Sequence, residues 1–482
     1  MNLRAVATVL GFLALIIAAS LLVPAAAALI AGESDFPAWL AAAAVAAGLG
    51  LAGRRFGGRA PEIRVREGFA VVTLGWLACS VLGALPFMLS RQIPGFTDAV
   101  FEAVSGFTTT GASILKDVEA CSRATLLWRA LTHWLGGMGI VLVAVAVLPL
   151  FGVGGMQLYR AEVPGPVPDR LTPRVRETAR RLWAIYALLT AAEVLALVLA
   201  GMGPFDAVCH AFATLATGGF STRNASVGAY GSPAVEWIVI VFMFLAGCNF
   251  SLHYLALAGR WRAYHRDEEW RFYLAVTLGA AALIALVLIP TGHYTSPEPL
   301  LRSATFQVVS IMTTTGFATA DFALWPAAMQ FVLLLLMCIG GCAGSTGGGI
   351  KVMRVVVLLK QAKLELKRMV HPRAVYTPWY NGRPLPAGLP ANVLGFFLFF
   401  VLIGLASILT LALGGHDLVT SAGAVAASLG NVGPGLGSVG PAANYAHLAI
   451  WEKWVLIFCM LVGRLEIYTV LVLLLPDAWR RA

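Results

Sequence analysis

The chain has 482 residues, 59% of them hydrophobic and only 12% charged, with a mean hydropathy of +0.81. Those proportions exclude an ordinary soluble domain and point to a polytopic membrane protein. The formal net charge of +10 raises nucleic acid as a partner, and the placement of the basic residues decides that question.

Apolar stretches of roughly the 20 residues a helix needs to cross a bilayer fall near 5–31, 37–53, 69–90, 125–151, 181–203, 234–258, 272–291, 325–349, 391–413 and 446–475. The first, with only Arg4 flanking a long apolar run, reads as a retained helix rather than a cleaved leader. Together with the second it forms an accessory pair over residues 1–60. The remaining spans fall into four units, 61–160, 161–265, 266–373 and 374–482.

Inside each unit, between its two spans, lies a short amphiphilic window that ends on glycine. Asp98 to Gly111 reads DAVFEAVSGFTTTG, Asp206 to Gly219 DAVCHAFATLATGG, Ser303 to Gly316 SATFQVVSIMTTTG, and Thr420 to Gly433 TSAGAVAASLGNVG. Each opens on a residue type that caps helices, so each reads as a short helix followed by a turn. The windows are too short to cross and should be re-entrant, shielded from lipid by protein. What the four share before the glycine is backbone carbonyls. A ring of carbonyls can replace the hydration shell of an alkali cation without a charged side chain that would trap it, and the C-terminal end of each short helix adds partial negative charge. Four windows in one register therefore predict one pore in one polypeptide.

The N-terminus, the four loops between units and the tail collect most of the 34 Lys and Arg, among them Arg54, Arg55, Arg59, Arg64, Arg160, Arg170, Arg174, Arg260, Arg262, Arg266, Lys360, Lys363, Lys367, Arg368, Arg480 and Arg481. That asymmetry makes these segments cytoplasmic and brings the windows in from outside. It assigns the positive charge to membrane topology and leaves no nucleic-acid surface to explain.

In the third unit, apolar residues 327 to 339 run into Gly340, Gly341, Cys342, Ala343, Gly344, Ser345, Thr346, Gly347, Gly348 and Gly349, after which a basic amphipathic stretch resumes at Lys351. So many glycines should break the helix at membrane depth. A phosphate-binding loop is excluded, because GGGIK lacks the Gly-Lys-Ser/Thr ending and follows an apolar helix instead of a strand. Arg464 sits in the last apolar helix, where a buried guanidinium is costly unless paired or functional. Glu466, two residues on, does not face it on a helix. Asn249 and Glu102 read as weaker candidates that anchor helices by hydrogen bonds. Asp98 and Asp206 read as helix caps. The seven cysteines show no CxxC pair and the eight histidines no HxxxH or HExxH pattern, which gives a metal site little support. No nucleophile, base or ligand set converges to suggest an enzyme.

The filters TTTGAS (108–113), ATGGFST (216–222), TTTGFATAD (313–321) and NVGPGLGSVG (431–440), with HWLGGMGIV (133–141), GGCAGSTGGGIK (340–351) and GRLEIYTVLVL (463–473), resemble the Trk/Ktr/HKT superfamily of potassium transporters. With the extra N-terminal pair, the resemblance is to the bacterial TrkH type and covers nearly the whole chain. It implies an all-α fold of four pseudo-symmetric repeats, each a helix, a re-entrant pore helix with filter loop and a second helix, around one pore. It also implies that potassium is held at carbonyls around Thr109, Thr110, Gly111, Thr217, Gly218, Gly219, Thr314, Thr315, Gly316, Asn431, Val432 and Gly433. Plant relatives that prefer sodium often carry serine at the position of Gly111, so glycine implies potassium. Gly344, Ser345, Thr346, Gly347, Gly348 and Gly349 would form an intramembrane gating loop, and Arg464 would face the pore beside it. The resemblance further implies a homodimer in the bacterial inner membrane with both termini cytoplasmic, no cofactor bound by this chain, and a cytoplasmic regulatory subunit of TrkA type that binds NAD or ATP. A sodium-selective or proton-coupled symporter is the alternative within transport, with Glu102, Glu193 and Glu466 as the intramembrane acids to test.

Overall fold

The computed structural model describes residues 2–57, 65–139, 175–292, 294, 296–374, 376–386 and 388–479. The far part of the 125–151 span, several loop arginines (Arg59, Arg64, Arg160, Arg170, Arg174) and the tail arginines Arg480 and Arg481 lie outside them. Among the described residues, six helices are long and apolar enough to cross a membrane, and two bent helix pairs bring the total to as many as eight.

The accessory pair is α1 (Leu3–Ala31) and α2 (Phe36–Gly57). They approach closely because the contact is built from glycine: a Cβ at Gly11 would lie 2.7 Å from the Gly50 carbonyl oxygen and 2.8 Å from the Arg54 nitrogen. Small residues permit this backbone-to-backbone packing in lipid, where no hydrophobic force drives helices together.

The first repeat follows with α3 (Val65–Leu89), the short helix α4 (Phe96–Phe107) and α5 (Arg123–Gly137). The second has α6 (Val175–Leu199), the short α7 (Pro204–Leu215), then α8 (Pro233–Ala246) and α9 (Phe250–Leu257). A single-turn helix α10 (Arg262–Arg266) leads to the third repeat, made of α11 (Glu268–Leu288), the short α12 (Pro297–Met312), α13 (Ala327–Ile339) and α14 (Val352–Val370). The fourth contains α15 (Leu389–Leu413), the short α16 (Leu418–Leu429), α17 (Ile450–Arg464) and α18 (Ile467–Leu471). Every residue of α4 from Ala99 to Phe107 is buried, so this short helix is enclosed by protein, as a non-spanning segment at membrane depth must be.

The short helices start before the residues expected to cap them. Gly95, Gly203, Ser296 and Asp417 are the N-caps, and α7 and α12 open on proline, whose missing N–H costs nothing in the first turn. Asp98 and Asp206 therefore lie inside the first turn, where Asp98 accepts from Lys453 Nζ at 2.7 Å and Asp206 from Thr222 at 2.8 Å and Arg223 at 3.0 Å.

The second helices of repeats 2 and 4, read as continuous over 234–258 and 446–475, are bent by 101° and 115°. Gly247 ends α8, after which Asn249 caps α9 by accepting the Ser251 N–H at 2.8 Å. In repeat 4 the bend falls at Glu466, whose φ is 65°.

Between α14 and α15 a two-residue hairpin pairs β1 (Trp379–Tyr380) with β2 (Arg383–Pro384). Its turn, Asn381 and Gly382, has φ of 48° and 73°, the double left-handed turn that Asn-Gly favours.

Candidate functional site

The four short helices end at Phe107, Leu215, Met312 and Leu429, and the chain then repeats one backbone pattern four times. Thr109, Thr217, Thr314 and Asn431 have φ of 54°, 54°, 60° and 56°, and two residues later Gly111, Gly219, Gly316 and Gly433 have 82°, 80°, 81° and 100°. Left-handed backbone at alternate residues keeps successive carbonyls on one side of the strand. Threonine rarely adopts that conformation, so three threonines in register with Asn431 are a built feature.

The segments close into a ring. A Cβ at Gly111 would strike the carbonyl oxygen of Gly218, one at Gly219 that of Thr315, and one at Gly316 that of Val432. A Cβ at Gly433 would lie 2.5 Å from that of Thr110. Each glycine thus abuts the carbonyl that precedes the next glycine, in the order first, second, third, fourth, first. Thr109, Thr110, Thr217, Thr314, Thr315, Asn431 and Val432 are all fully buried. The ring carries no formal charge and presents oxygens, which suits a dehydrated monovalent cation. The C-terminal ends of α4, α7, α12 and α16, with their partial negative charge, adjoin it.

Two kinds of support hold the ring. In repeats 1 and 3, Thr108 and Thr313 donate to the carbonyls of Val104 and Val309 at 2.7 and 2.8 Å. Their single protons are then used, so Thr110 and Thr315 donate to them, both at 2.8 Å. Repeat 2 has Ala216 and Gly218 at these places, and the imidazole of His133 from α5 fills the space: a Cβ at Gly218 would meet the ring. His133 Nδ1 donates to Gly106 O at 2.7 Å and Nε2 accepts the Phe220 N–H at 3.2 Å, an assignment that fixes the neutral tautomer.

The second support comes from the fifth position of each window. Glu102 accepts from Ser113 Oγ at 2.9 Å and from the Ile114 N–H at 3.0 Å, His210 Nε2 meets Ser221 Oγ at 2.9 Å, and the Gln307 amide oxygen accepts from the Thr319 and Ala320 N–H groups at 2.9 and 3.0 Å. Each ties the strand leaving the filter back to its own helix. Arg129 joins two of these quadrants, with Nε on Glu102 at 2.8 Å and Nη1 on Ser221 O at 3.1 Å, its guanidinium 4.0 Å from the Phe220 ring centre. In repeat 4 the fifth position is Ala424, and Tyr445 instead donates to Gly433 O at 2.7 Å.

Beneath the ring, α13 stops at Ile339 and α14 begins at Val352. The ends of the intervening loop are tied together: Ile350 N–H donates to Cys338 O, Lys351 N–H to Ile339 O and Val352 N–H to Gly341 O, at 2.9 to 3.0 Å. Gly340, Gly344 and Gly349 take left-handed φ of 77°, 75° and 73°. The loop touches every quadrant. Thr346 Oγ1 donates to Leu215 O at 2.9 Å, and Gly348 N–H donates to Thr314 Oγ1 at 2.7 Å. Gly348 also lies against Gly430, where a Cβ would come 2.8 Å from Asn431 Cβ. Arg464 supplies the last link: Nη1 bonds Thr346 O at 2.6 Å, and Nη2 bonds Gly136 O and Gly137 O at 2.8 and 3.0 Å.

Thus the structure brings Gly344, Ser345, Thr346, Gly347, Gly348, Gly349 and Arg464 together directly under the filter residues. Arg464 contacts the loop and Glu466 pairs with Arg354 instead. Asn249 is an N-cap, and it also faces the loop: the Phe250 N–H beside it donates to Gly344 O at 3.0 Å. Glu102 ties residues 113 and 114 back to its own helix. Of the acids named for proton coupling, Glu102 and Glu466 are in ion pairs and Glu193 is buried in α6. The sequence assigns no role to Arg129, His210, Gln307 or Glu269, and marks His133 and Lys351 only as the first residue of HWLGGMGIV and the last of GGCAGSTGGGIK. The shared fifth position of the windows was a legible signal for His210 and Gln307. Nothing local marks Arg129 or Glu269. On the far side of the loop lies a cavity of about 550 Å³, lined among others by Asn249, Glu269, Ser345, Lys351, Tyr380 and Arg464.

Known proteins resemble this chain over nearly its whole length. The family described as TrkH, cation transport protein, matches residues 41–479. The Trk system potassium uptake protein TrkH of Salmonella typhimurium is 45% identical over 488 residues, covering 100% of both chains. The protein of that name from Halomonas elongata is 42% identical over 492 residues with the same coverage. TrkG of Escherichia coli is 37% identical over 87% of this chain and 86% of its own. The crystal structure of the potassium transporter TrkH from Vibrio parahaemolyticus matches with a TM-score of 0.90 at 41% identity, again over 100% of both chains.

Proposed function

The chain belongs to the TrkH family of cation transport proteins, and from that premise we propose that it takes up potassium through the ring formed by Thr109–Gly111, Thr217–Gly219, Thr314–Gly316 and Asn431–Gly433. The observation that carries this is the cyclic contact of each filter glycine with the neighbouring carbonyl. An entering ion exchanges water for carbonyl oxygens and meets no fixed negative charge, so it is bound well enough to enter and weakly enough to leave. Inward movement is driven by the membrane potential, worth about 2.3 kcal/mol per charge per 100 mV.

Residues 344–349 act as the gate. Their bonds to Leu215, Thr314 and Arg464 hold the loop across the path in a closed arrangement, and conduction requires it to move aside. Arg464 has two roles there, since its charge raises the barrier for a cation and its donors hold the loop. The protein works as a homodimer in the bacterial inner membrane with both termini cytoplasmic. A cytoplasmic subunit of TrkA type, itself binding NAD or ATP, acts on the gate through the basic loops and α14.

The test is potassium and sodium flux into proteoliposomes that contain this subunit alone, comparing wild type with Gly316→Ser and with deletion of residues 344–348. Potassium preferred over sodium, loss of flux or preference in the serine variant, and higher flux in the deletion support the reading. Equal sodium flux in wild type overturns the potassium assignment, and an unchanged deletion overturns the gate.

A further inference from the structure

The N-cap and first turn of α11 lie on the cytoplasmic side of the loop and carry three consecutive acids, two engaged with the hairpin and one with the loop. Asp267 Oδ2 accepts from Asn381 Nδ2 of the hairpin at 2.8 Å. Glu268 pairs with Lys360 of α14 and accepts the Asn381 N–H at 3.2 Å. Glu269, only 3% exposed, reaches inward.

A single oxygen of Glu269, Oε1, accepts the Ala343 N–H at 2.6 Å and the Met353 N–H at 3.0 Å. Ala343 lies just inside the loop that crosses the pore, and Met353 lies in the first turn of the helix that follows it. One carboxylate therefore joins both flanks of the loop, satisfying a donor in irregular backbone and an open donor at the start of α14. Its other oxygen faces the Tyr380 hydroxyl of the hairpin at 3.5 Å. The same hairpin is bound to α14, because Lys360 Nζ also donates to Trp379 O at 2.6 Å.

We propose that Glu269 is a positioning residue that latches the loop in its closed place, and that the hairpin at 379–384 is the handle by which a cytoplasmic event releases it. This rests on the reading of residues 344–349 as the gate. The geometry sets the direction of the effect. Among the described residues the Ala343 and Met353 N–H groups donate to no other acceptor, so loss of the carboxylate leaves both open and removes one bridge between the loop flanks. The filter residues are untouched by this change. Release of the latch therefore raises flux without altering the preference between ions. Movement of the hairpin, bonded to Asp267, Glu268 and Lys360 at once, shifts α11 against α14 and pulls on the same carboxylate.

The experiment compares Glu269→Ala, Glu269→Gln and the deletion of residues 344–348 in proteoliposomes, measuring potassium flux, the potassium-to-sodium ratio, and the rate at which a water-soluble thiol reagent modifies Ser345→Cys in each full-length background. Glu269→Ala is expected to raise flux and modification rate about tenfold, the size of shift that loss of two buried hydrogen bonds gives a two-state element. The ion ratio is expected to stay at the wild-type value. Glu269→Gln keeps a neutral oxygen in place and is expected to fall between the two, which keeps the test alive if the alanine variant does not fold. Flux and modification rate equal to wild type in every variant that folds overturn the latch, as does a changed ion ratio. If the deletion raises flux while the Glu269 variants do not, only the latch fails. A deletion without effect removes the gate on which it rests.

Discussion

Gly433 lies against the Thr110 carbonyl, where a Cβ would come within 2.5 Å of the oxygen, so the last filter segment closes directly on the first across most of the chain. The ring has no slack at that seam. The same relationship holds between Gly316 and Val432, with Pro434 Cδ 2.7 Å from a Cβ at Gly316.

Gly316→Ser therefore carries two penalties, a side chain at φ 81°, costing about 1–2 kcal/mol, and a clash with the Val432 carbonyl oxygen. Potassium flux is expected to fall by about tenfold or more, with the potassium-to-sodium ratio reduced. Flux and ratio measured in proteoliposomes check it, and wild-type values for both would refute the filter assignment.

Arg464→Ala removes charge-assisted bonds to Thr346 O, Gly136 O and Gly137 O, each worth about 1.5–3 kcal/mol. The loop loses its link to repeat 1 through Arg464, and the positive charge beside it is removed. Basal flux is expected to rise, by about tenfold. Arg464→Lys, with one charge point in place of a fork, should lie between. Reduced flux in both would show that the arginine serves structure alone.

Glu102→Ala leaves Arg129 buried without its carboxylate and frees Ser113 and Ile114 from their helix. Breaking a buried pair from one side costs about 3–5 kcal/mol. A clear drop in the thermal midpoint of the detergent-solubilised protein is the expected result, with flux lost in parallel. An unchanged midpoint would remove Glu102 from the filter's support.

Asp117, in the loop after the first filter, is held below the usual 3.8 chiefly by the hydrogen bond from Asn224, which with the N–H groups of Glu119 and Ala120 outweighs the opposing desolvation. Because the folded pKa is depressed, the link between the first and second outer loops is present above 3.8 and is lost as pH falls through the lowered value. Asp117→Asn should flatten the acid limb of a pH–stability profile and leave the neutral range nearly unchanged. An identical acid limb in the variant would show that the link carries no stability.

The repeats were legible because the backbone problem they solve recurs: a glycine at each filter position is demanded by geometry, so it marks the sequence four times. The break after Ile339 was legible for a similar reason, as a dense run of glycines. The bends at Gly247 and Glu466 were not, since a single glycine in an apolar run is compatible with a straight helix. What packs there is distant in sequence: a Cβ at Gly463 would strike Leu429 O, and one at Gly247 would sit 2.6 Å from the Tyr273 hydroxyl and 2.8 Å from Thr313 Cγ2. The helix starts were misplaced because Asp98 and Asp206 look like caps, whereas the chain uses Gly95 and Gly203 and turns the acids toward Lys453 and Arg223. The hairpin had a local signal, Asn381-Gly382, hidden among prolines. Glu269 had none, for its partners are backbone N–H groups some 74 and 84 residues away.

The four quadrants reach one ring by different means: threonine pairs in two, the His133 ring behind Gly218 in another, Asn431 with Tyr445 in the last. A pore assembled from identical subunits must change all four sides with every substitution. Here each side carries its own codons, so the pore can be retuned by quarters, with three sides keeping an ion centred while the fourth is altered.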